Sequence, residues 1–262
     1  MSGWRVLIGR TAGRSAALIR LLAAEGVQAH TVPLIDIVPP ADCAELDAAL
    51  MTMAAGDCEW VAFTSVNAVT SVVQRAAQLH LLPVVSALTR VAAVGPATAL
   101  ALRGAGIAVD LVPAAGGSNT DLLAAFPTAR TAETVVLPRS DIGAETLPDA
   151  LRRKGYQVHT VVAYRTVSRP LPSNIAEDLA AAGYQAVVVT SPSGVPALMA
   201  AGPADAVATI AIGLPTARAL AAAGRPPTEI ATDPTDHEIV AAVIRCAGSS
   251  SAAHRQQGES TP

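Results

Sequence analysis

Short polar motifs with the residue types that bind anions recur along this chain of 262 residues. Each motif contains Ser, Thr or Gly, follows a short apolar run and precedes a run rich in Ala and Leu. The motifs lie at residues 64–67, 95–98, 118–120, 140–141, 190–193 and 213–216. A turn from a strand into a helix presents unpaired backbone N–H groups at the positive end of the helix dipole, and such ends bind anions. We therefore predict a ligand with several negative charges, while ordinary helix capping by Ser or Thr is the alternative for any single motif.

Two arginines could add charge-assisted binding to these turns. Arg10 and Arg139 each follow a short apolar run, and a guanidinium can bind a carboxylate through two parallel hydrogen bonds. The alternative for each arginine is an ion pair with a nearby acidic residue.

The two arginines belong to an internal repeat. Residues 10–32 return at a constant offset as residues 139–161, and both copies contain a Gly-X-Gln-X-His-Thr-Val sequence. Two further pairs follow in the same order, 64–69 with 190–195 and 95–99 with 213–217. A repeat this long indicates a duplicated domain rather than a solenoid. Two similar domains form a cleft between them, and such clefts bind ligands.

The periodicity predicts an α/β fold. Short β-branched runs alternate with helical runs, which is typical of parallel sheets with helices on both faces. The predicted strands, about five for each domain, are 5–8, 28–37, 60–63, 91–94, 109–112, 135–137, 157–163, 187–189, 210–212 and 229–231. Gly26, Gly106, Gly155 and Gly224 follow helical runs, where glycine ends a helix. Pro-rich stretches near 38–40 and 168–172 indicate linkers, and residues 249–262, which lack apolar periodicity, are predicted to form a disordered tail.

Composition excludes several functional classes. The formal net charge is −3 and aromatic residues make up 3% of the chain, so neither a basic surface nor a base-stacking platform for nucleic acid is expected. The three cysteines are scattered, and no metal-ligand spacing or cofactor motif occurs, so we expect no metal and no cofactor. No apolar run approaches the ~18 residues of a membrane-spanning helix. Because the N-terminus lacks the pattern of an export signal, we expect a cytoplasmic protein.

The ordered set of motifs resembles the uroporphyrinogen-III synthase family. The resemblance extends over about residues 4–245 and depends on the order and spacing of its motifs. These are residues 63–69, 93–99, 162–166, 190–194 and 211–220.

The resemblance implies two flavodoxin-like domains joined by a two-stranded linker. In that arrangement residues 1–37 and 172–248 form a discontinuous first domain, and residues 40–167 form the second. The repeat by itself leaves a plain tandem arrangement equally open.

The resemblance also implies a function. Members of this family are lyases that cyclise hydroxymethylbilane to uroporphyrinogen III, losing water and inverting ring D, and here the cleft between the domains would hold the substrate. No cofactor is implied, a monomer is expected, and functional coupling to hydroxymethylbilane synthase or to a uroporphyrinogen methyltransferase is left open. The alternative is a non-catalytic two-domain binding or regulatory module for a small anionic ligand.

The family motifs assign roles to individual residues. Tyr164 matches the family tyrosine and is the candidate proton donor to the leaving hydroxyl, with a purely structural hydrogen bond as the alternative. The residues in these turns that are expected to bind the carboxylates of the substrate are Ser65, Thr98, Ser191, Ser193, Gly194 and Thr216. Arg10 and Arg139 are added to them because of their positions in the repeat, not because of a family motif. Ser65 is the weakest match, since the turn of the first copy lacks the Pro and Gly of the second.

Overall fold

The computed structural model describes residues 3–114 and 117–258, with side chains described as far as Gly248. The strands are β1 Arg5–Ile8, β2 Gln28–Thr31, β3 Ile35–Val38, β4 Trp60–Phe63, β5 Arg90–Ala93, β6 Thr134–Ser140, β7 Gln157–Ser168, β8 Ala186–Val189, β9 Ala208–Ala211 and β10 Glu229–Ile230. The helices are α1 Ala16–Ala24, α2 Ala44–Ala55, α3 Val66–Gln78, α4 Pro96–Gly104, α5 Asn119–Ala125, α6 Thr146–Arg153, α7 Ser173–Ala180, α8 Val195–Ala200, α9 Leu214–Ala222 and α10 Asp236–Gly258. Single 3-10 turns occupy Ala12–Arg14 and Pro192–Gly194.

The strands form two five-stranded sheets. The first has the order β10-β9-β8-β1-β2, and the second has the order β3-β7-β6-β4-β5. All neighbouring strands of the first sheet pair in parallel, and so do the neighbours β7, β6, β4 and β5 of the second sheet. The prediction of an α/β fold with parallel sheets flanked by helices is therefore confirmed.

The chain divides into two compact units that are interleaved in sequence. Unit 1 comprises residues 1–36 and 167–262, and unit 2 comprises residues 37–166. The boundaries fall inside β3 and β7, which are neighbours in the second sheet and form the two-stranded linker. Unit 1 has the flavodoxin-like strand order 2-1-3-4-5. Four strands of the second sheet, β7-β6-β4-β5, repeat the spatial order β2-β1-β8-β9, although β6 and β7 come last in sequence. The fifth strand, β3, lies beside β7, and an isolated bridge at Leu111 takes the place of β10.

Each sheet is covered by apolar side chains on both faces. In unit 1, Val6 and Ile8 pack towards α1 and α10, while Leu7 and Val187 pack on the face covered by α7, α8 and α9. In unit 2, one face packs against α2, α3 and α4, and the other packs against α5 and α6. All four residues of β4 and of β8 are buried, which explains their uninterrupted apolar sequences.

The glycines predicted to end helices do so through their backbone conformation. Gly26, Gly106, Gly155 and Gly224 have φ of +74°, +77°, +93° and +80°. Only glycine adopts this left-handed region without steric cost, so each helix stops at a defined residue.

The structure corrects three expectations. The strand predicted over 28–37 is two strands, because Pro33 between them has no N–H to donate. The strand predicted over 109–112 is a single bridge from Leu111 to Ala92, since the Asp110 carboxylate accepts the Val91 N–H at 2.7 Å in place of a backbone carbonyl. The tail predicted to be disordered from residue 249 continues α10 as far as Gly258, in a segment without proline that extends an already formed helix. Residues 259–262 lie outside the described residues.

We expect the interleaved arrangement to decide which fragments fold. A fragment of residues 35–168 contains all five strands of the second sheet and should unfold cooperatively in urea. A fragment of residues 1–127, one copy of the sequence repeat, should not, because β1 then lacks β8 and Leu7 loses most of its apolar cluster. Circular dichroism during urea titration shows whether each of the two fragments unfolds cooperatively. Cooperative unfolding of the 1–127 fragment would contradict this prediction.

Candidate functional site

Polar residues collect at the carboxyl edge of the sheet in unit 2. Because β6, β4 and β5 are adjacent and parallel, the segments that follow them share this edge. Those segments begin with Asp141, Thr64 and Val94 respectively. Residues far apart in sequence are thereby brought to one place by strand pairing.

Tyr164 contacts this edge directly. It lies in β7 with 7% of its surface exposed, and its hydroxyl is 3.1 Å from Ser65 Oγ. Ser65 caps α3, and its Oγ accepts the Ala68 N–H at 3.0 Å. A serine hydroxyl that accepts one hydrogen bond can still donate its own proton. Ser65 can therefore donate to the Tyr164 oxygen and leave the phenol proton for a ligand.

A β-bulge determines the direction of Tyr164. Arg139 pairs with Val162, but the next residue of β6, Ser140, pairs with Tyr164, so Ala163 is an extra residue on β7. Ala163 and Tyr164 consequently pack in the same apolar cluster, although successive residues of a regular strand point to opposite faces. Without the bulge, Tyr164 would point away from Ser65.

Thr98 and Thr216 occupy equivalent positions in the two units. Each is the third residue of a helix, α4 or α9, that begins after an extended glycine, and they are 3% and 1% exposed. The free N–H groups of each first turn point towards the carboxyl edge of the respective sheet. These turns are suited to anion binding mainly through the backbone.

In unit 1, part of the predicted site lines a groove of about 490 Å³ at the ends of β8, β9 and β10. The groove contains Ser191, Gly213 and Thr216, and Leu214 at its margin is 61% exposed. Ser193 Oγ lies 2.9 Å from Ser191 Oγ. A polar turn beside apolar side chains would suit a ligand that carries both rings and carboxylates.

Gly194 has a packing role in the structure. It is buried, and a Cβ built on it would lie 3.2 Å from two carbon atoms of Leu34. The absence of a side chain therefore lets the turn after β8 approach Leu34 closely, and a direct role in binding stays a prediction.

Both predicted arginines make ion pairs with acidic residues. Arg10 Nη2 is 2.5 Å from Asp236 Oδ1, and its buried Nε has no hydrogen-bond partner among the described residues. Arg139 Nη1 is 2.7 Å from Glu145 Oε1, with Arg139 9% exposed. A ligand carboxylate must compete with these acids, so carboxylate binding by either arginine stays a prediction.

Sequence reasoning did not select Asp141 as a site residue, although it noted the turn that contains it. Asp141 Oδ1 accepts hydrogen bonds from the Ser140 hydroxyl and from the N–H groups of Ile142 and Thr166, each at 3.0 Å. Burial opposes ionisation, but these hydrogen bonds and the nearby Arg165 outweigh it and lower the pKa of Asp141. An acid placed directly after a strand-end serine was the sequence signal for this residue.

The described residues lack two features, a metal-binding cluster and a membrane-spanning helix. They contain no group of three or more His, Cys, Asp or Glu residues placed to hold a metal ion. None of the helices in the described part of the chain is both long and apolar enough to cross a membrane.

Comparison with known proteins identifies relatives of this chain. The family model described as "Uroporphyrinogen-III synthase HemD" matches residues 16–241. A curated uroporphyrinogen-III synthase from Synechococcus elongatus is 32% identical over 186 residues, which cover 70% of this chain and 67% of that protein.

Two solved structures share the fold. A mutant uroporphyrinogen III synthase from Thermus thermophilus is 22% identical with a TM-score of 0.63, over 94% of this chain and 99% of that one. Uroporphyrinogen-III synthetase from Helicobacter pylori is 18% identical with a TM-score of 0.63, over 92% and 99% of the two chains.

We expect the hydrogen bond between Tyr164 and Ser65 to appear as energetic coupling. Ser65→Ala should lower the free energy of unfolding by about 1–2 kcal/mol through loss of the helix cap and of the tyrosine contact. Tyr164→Phe should cost about 0.5–1.5 kcal/mol. Because both changes remove one shared hydrogen bond, the double variant should lose about 0.5 kcal/mol less than their sum in urea titrations.

Ser118 provides the matched control for this cycle. It also caps a helix of unit 2 and accepts the Asp121 N–H, and the hydrogen bonds that the Ser118 side chain makes within the described residues go to Asp121 rather than to a tyrosine. Ser118→Ala and Tyr164→Phe should therefore be additive. Additivity in both cycles would show that the Ser65–Tyr164 contact contributes nothing to stability.

Proposed function

Because the chain belongs to the uroporphyrinogen-III synthase family, we propose that it cyclises hydroxymethylbilane to uroporphyrinogen III with loss of water and inversion of ring D. The family match over residues 16–241 supports the reaction class. The observation that carries the residue assignment is the placement of the Tyr164 hydroxyl against Ser65 at a sheet edge rich in helix N-termini.

Tyr164 is the proposed proton donor. The bond between the terminal methylene carbon and its hydroxyl oxygen breaks, the oxygen keeps the electron pair, and the Tyr164 proton converts it to water. The pyrrole nitrogen supplies the electrons that replace this bond, which leaves an azafulvene cation. A phenol O–H is a hydrogen-bond donor that can supply this proton.

Ring closure then needs positioning more than further chemistry. The cationic carbon bonds to a ring carbon and forms a spiro intermediate, whose rearrangement inverts ring D. The ring carbon that forms the last bond then loses one proton. The Tyr164 oxygen accepts this proton, which restores the phenol and balances the reaction. Holding the bilane in one folded conformation favours this path over direct closure to isomer I.

The proposed substrate carries eight carboxylates, yet the protein has a net charge of −3. Backbone N–H groups at helix N-termini and the hydroxyls of neighbouring Ser and Thr residues can bind carboxylates without a basic surface. We assign this role to the turns of Ser65 and Thr98 in unit 2 and to those of Ser191, Ser193 and Thr216 in unit 1.

The proposal predicts that purified protein treated with a chelator forms uroporphyrinogen III from hydroxymethylbilane. Since the chemistry needs only proton transfer and positioning, activity should survive dialysis against the chelator. Products are oxidised and isomers I and III are resolved by chromatography. Formation of isomer I alone, at the rate of the uncatalysed reaction, would overturn the proposal in favour of a non-catalytic binding module.

Tyr164→Phe should lower kcat on the order of tenfold to a hundredfold, since a group that assists departure of the hydroxyl acts in the transition state. Product affinity should change little. Thr98→Val and Thr216→Val keep the side-chain shape, remove one hydroxyl each and retain the backbone N–H groups, so they should mainly raise KM, by a few-fold. Full turnover by Tyr164→Phe combined with inactivity of a threonine variant would contradict these roles.

A further inference from the structure

Asp141 is an ionised carboxylate fixed beside the strand that carries Tyr164. It follows β6 directly, and its N–H donates to the Tyr164 carbonyl at 3.1 Å. Its side-chain Oδ1 accepts a hydrogen bond from the N–H of Thr166, which lies two residues beyond Tyr164 on the same strand. Backbone pairing therefore places Asp141 and the proposed proton donor at one position along the sheet edge.

The two oxygens of the carboxylate have different surroundings. All three hydrogen bonds go to Oδ1, which fixes the orientation of the group. Oδ2 forms a long ion pair with Arg165 Nε at 4.0 Å, beyond hydrogen-bonding distance. The side chain of Asp141 is 31% exposed, so a ligand at this edge can reach it.

A negative charge here is unfavourable for binding the proposed substrate. Eight carboxylates on the bilane repel another carboxylate, and Ser, Thr or Asn could cap the same N–H groups without that repulsion. Apart from the ion pair with Arg165, this charge can contribute to the reaction when positive charge develops, because interactions that are stronger in the transition state than in the ground state accelerate a reaction. Departure of water creates such a charge on the pyrrole that becomes the azafulvene cation.

We propose that Asp141 stabilises the azafulvene cation electrostatically, with Oδ2 facing the developing charge. This inference rests on the proposed function. Asp141 exchanges no proton and forms no covalent bond in this role. Its hydrogen bonds hold the charge in place before reaction, so little reorganisation is needed as the cation forms. Tyr164 and Asp141 then act on the same step, one on the leaving oxygen and the other on the remaining cation.

The test compares Asp141→Asn with the parent protein in kcat, KM and isomer ratio. The amide retains an oxygen to accept the Ile142 and Thr166 N–H groups, so the melting temperature should stay within about 3 °C. We expect kcat to fall on the order of tenfold to a hundredfold and KM to stay the same or decrease. A structural defect would instead raise KM or lower the melting temperature together with kcat.

Two further variants separate charge from capping. Asp141→Glu keeps the charge but fits the turn less well, so an electrostatic role predicts a higher kcat for Glu than for Asn, even if both are destabilised. Glu133, which directly precedes β6 and pairs with Arg90, lies at the opposite end of the same strand. Glu133→Gln removes the same charge and should leave kcat within about twofold.

The outcomes distinguish this inference from the function on which it rests. If the parent forms isomer III and Asp141→Asn retains kcat within about twofold, Asp141 has no electrostatic role and the proposed function stands. The inference is likewise overturned if the kcat of Asp141→Asn equals or exceeds that of Asp141→Glu. If the parent forms no isomer III, the proposed function itself fails.

Discussion

The pairing of β1 with β8 is the constraint on which the architecture of unit 1 depends. Val6, Leu7 and Ile8 pair in parallel with Ala186, Val187 and Val188, and the whole of unit 2 lies between these strands in sequence. The pairing creates both apolar faces of the first sheet. Because of it, the chain must leave unit 1 after β2, complete unit 2 and return, and the neighbouring strands β3 and β7 are the two crossings.

In unit 2, the parallel pairing of strands that are distant in sequence also brings the candidate site together. Parallel neighbours end at one edge, so Ser65, Thr98 and Asp141 follow adjacent strands although they lie far apart in sequence. The bulge at Ala163 then breaks the alternation of β7 and directs Tyr164 towards Ser65. In a regular strand the phenol would have pointed to the other face of the sheet.

The electrostatics of both units rely on local partners rather than on net charge. Arg10 and Arg139, which could have formed a basic surface, are each neutralised by an acid. The proposed function therefore assigns anion binding mainly to helix N-termini, whose dipoles and N–H groups belong to the backbone. Such an assignment would suit a ligand with many carboxylates, since the binding energy would be spread over several turns.

The sequence by itself determined the element types, most strand positions, the helix ends at glycine and the equivalence of the repeated segments, because these depend on local periodicity and on backbone conformation. It also located the turns of Ser65, Thr98, Ser191 and Thr216, since capping residues lie next to the helices that they begin. It left open which repeated halves form a unit, because β4 and β8 are equally apolar and either could have paired with β1. Only the tertiary structure decided that pairing, the acids that neutralise the arginines, the bulge that turns Tyr164 and the hydrogen bonds that fix Asp141. Each of these depends on contacts between residues distant in sequence, where register and packing, rather than local propensity, determine the outcome.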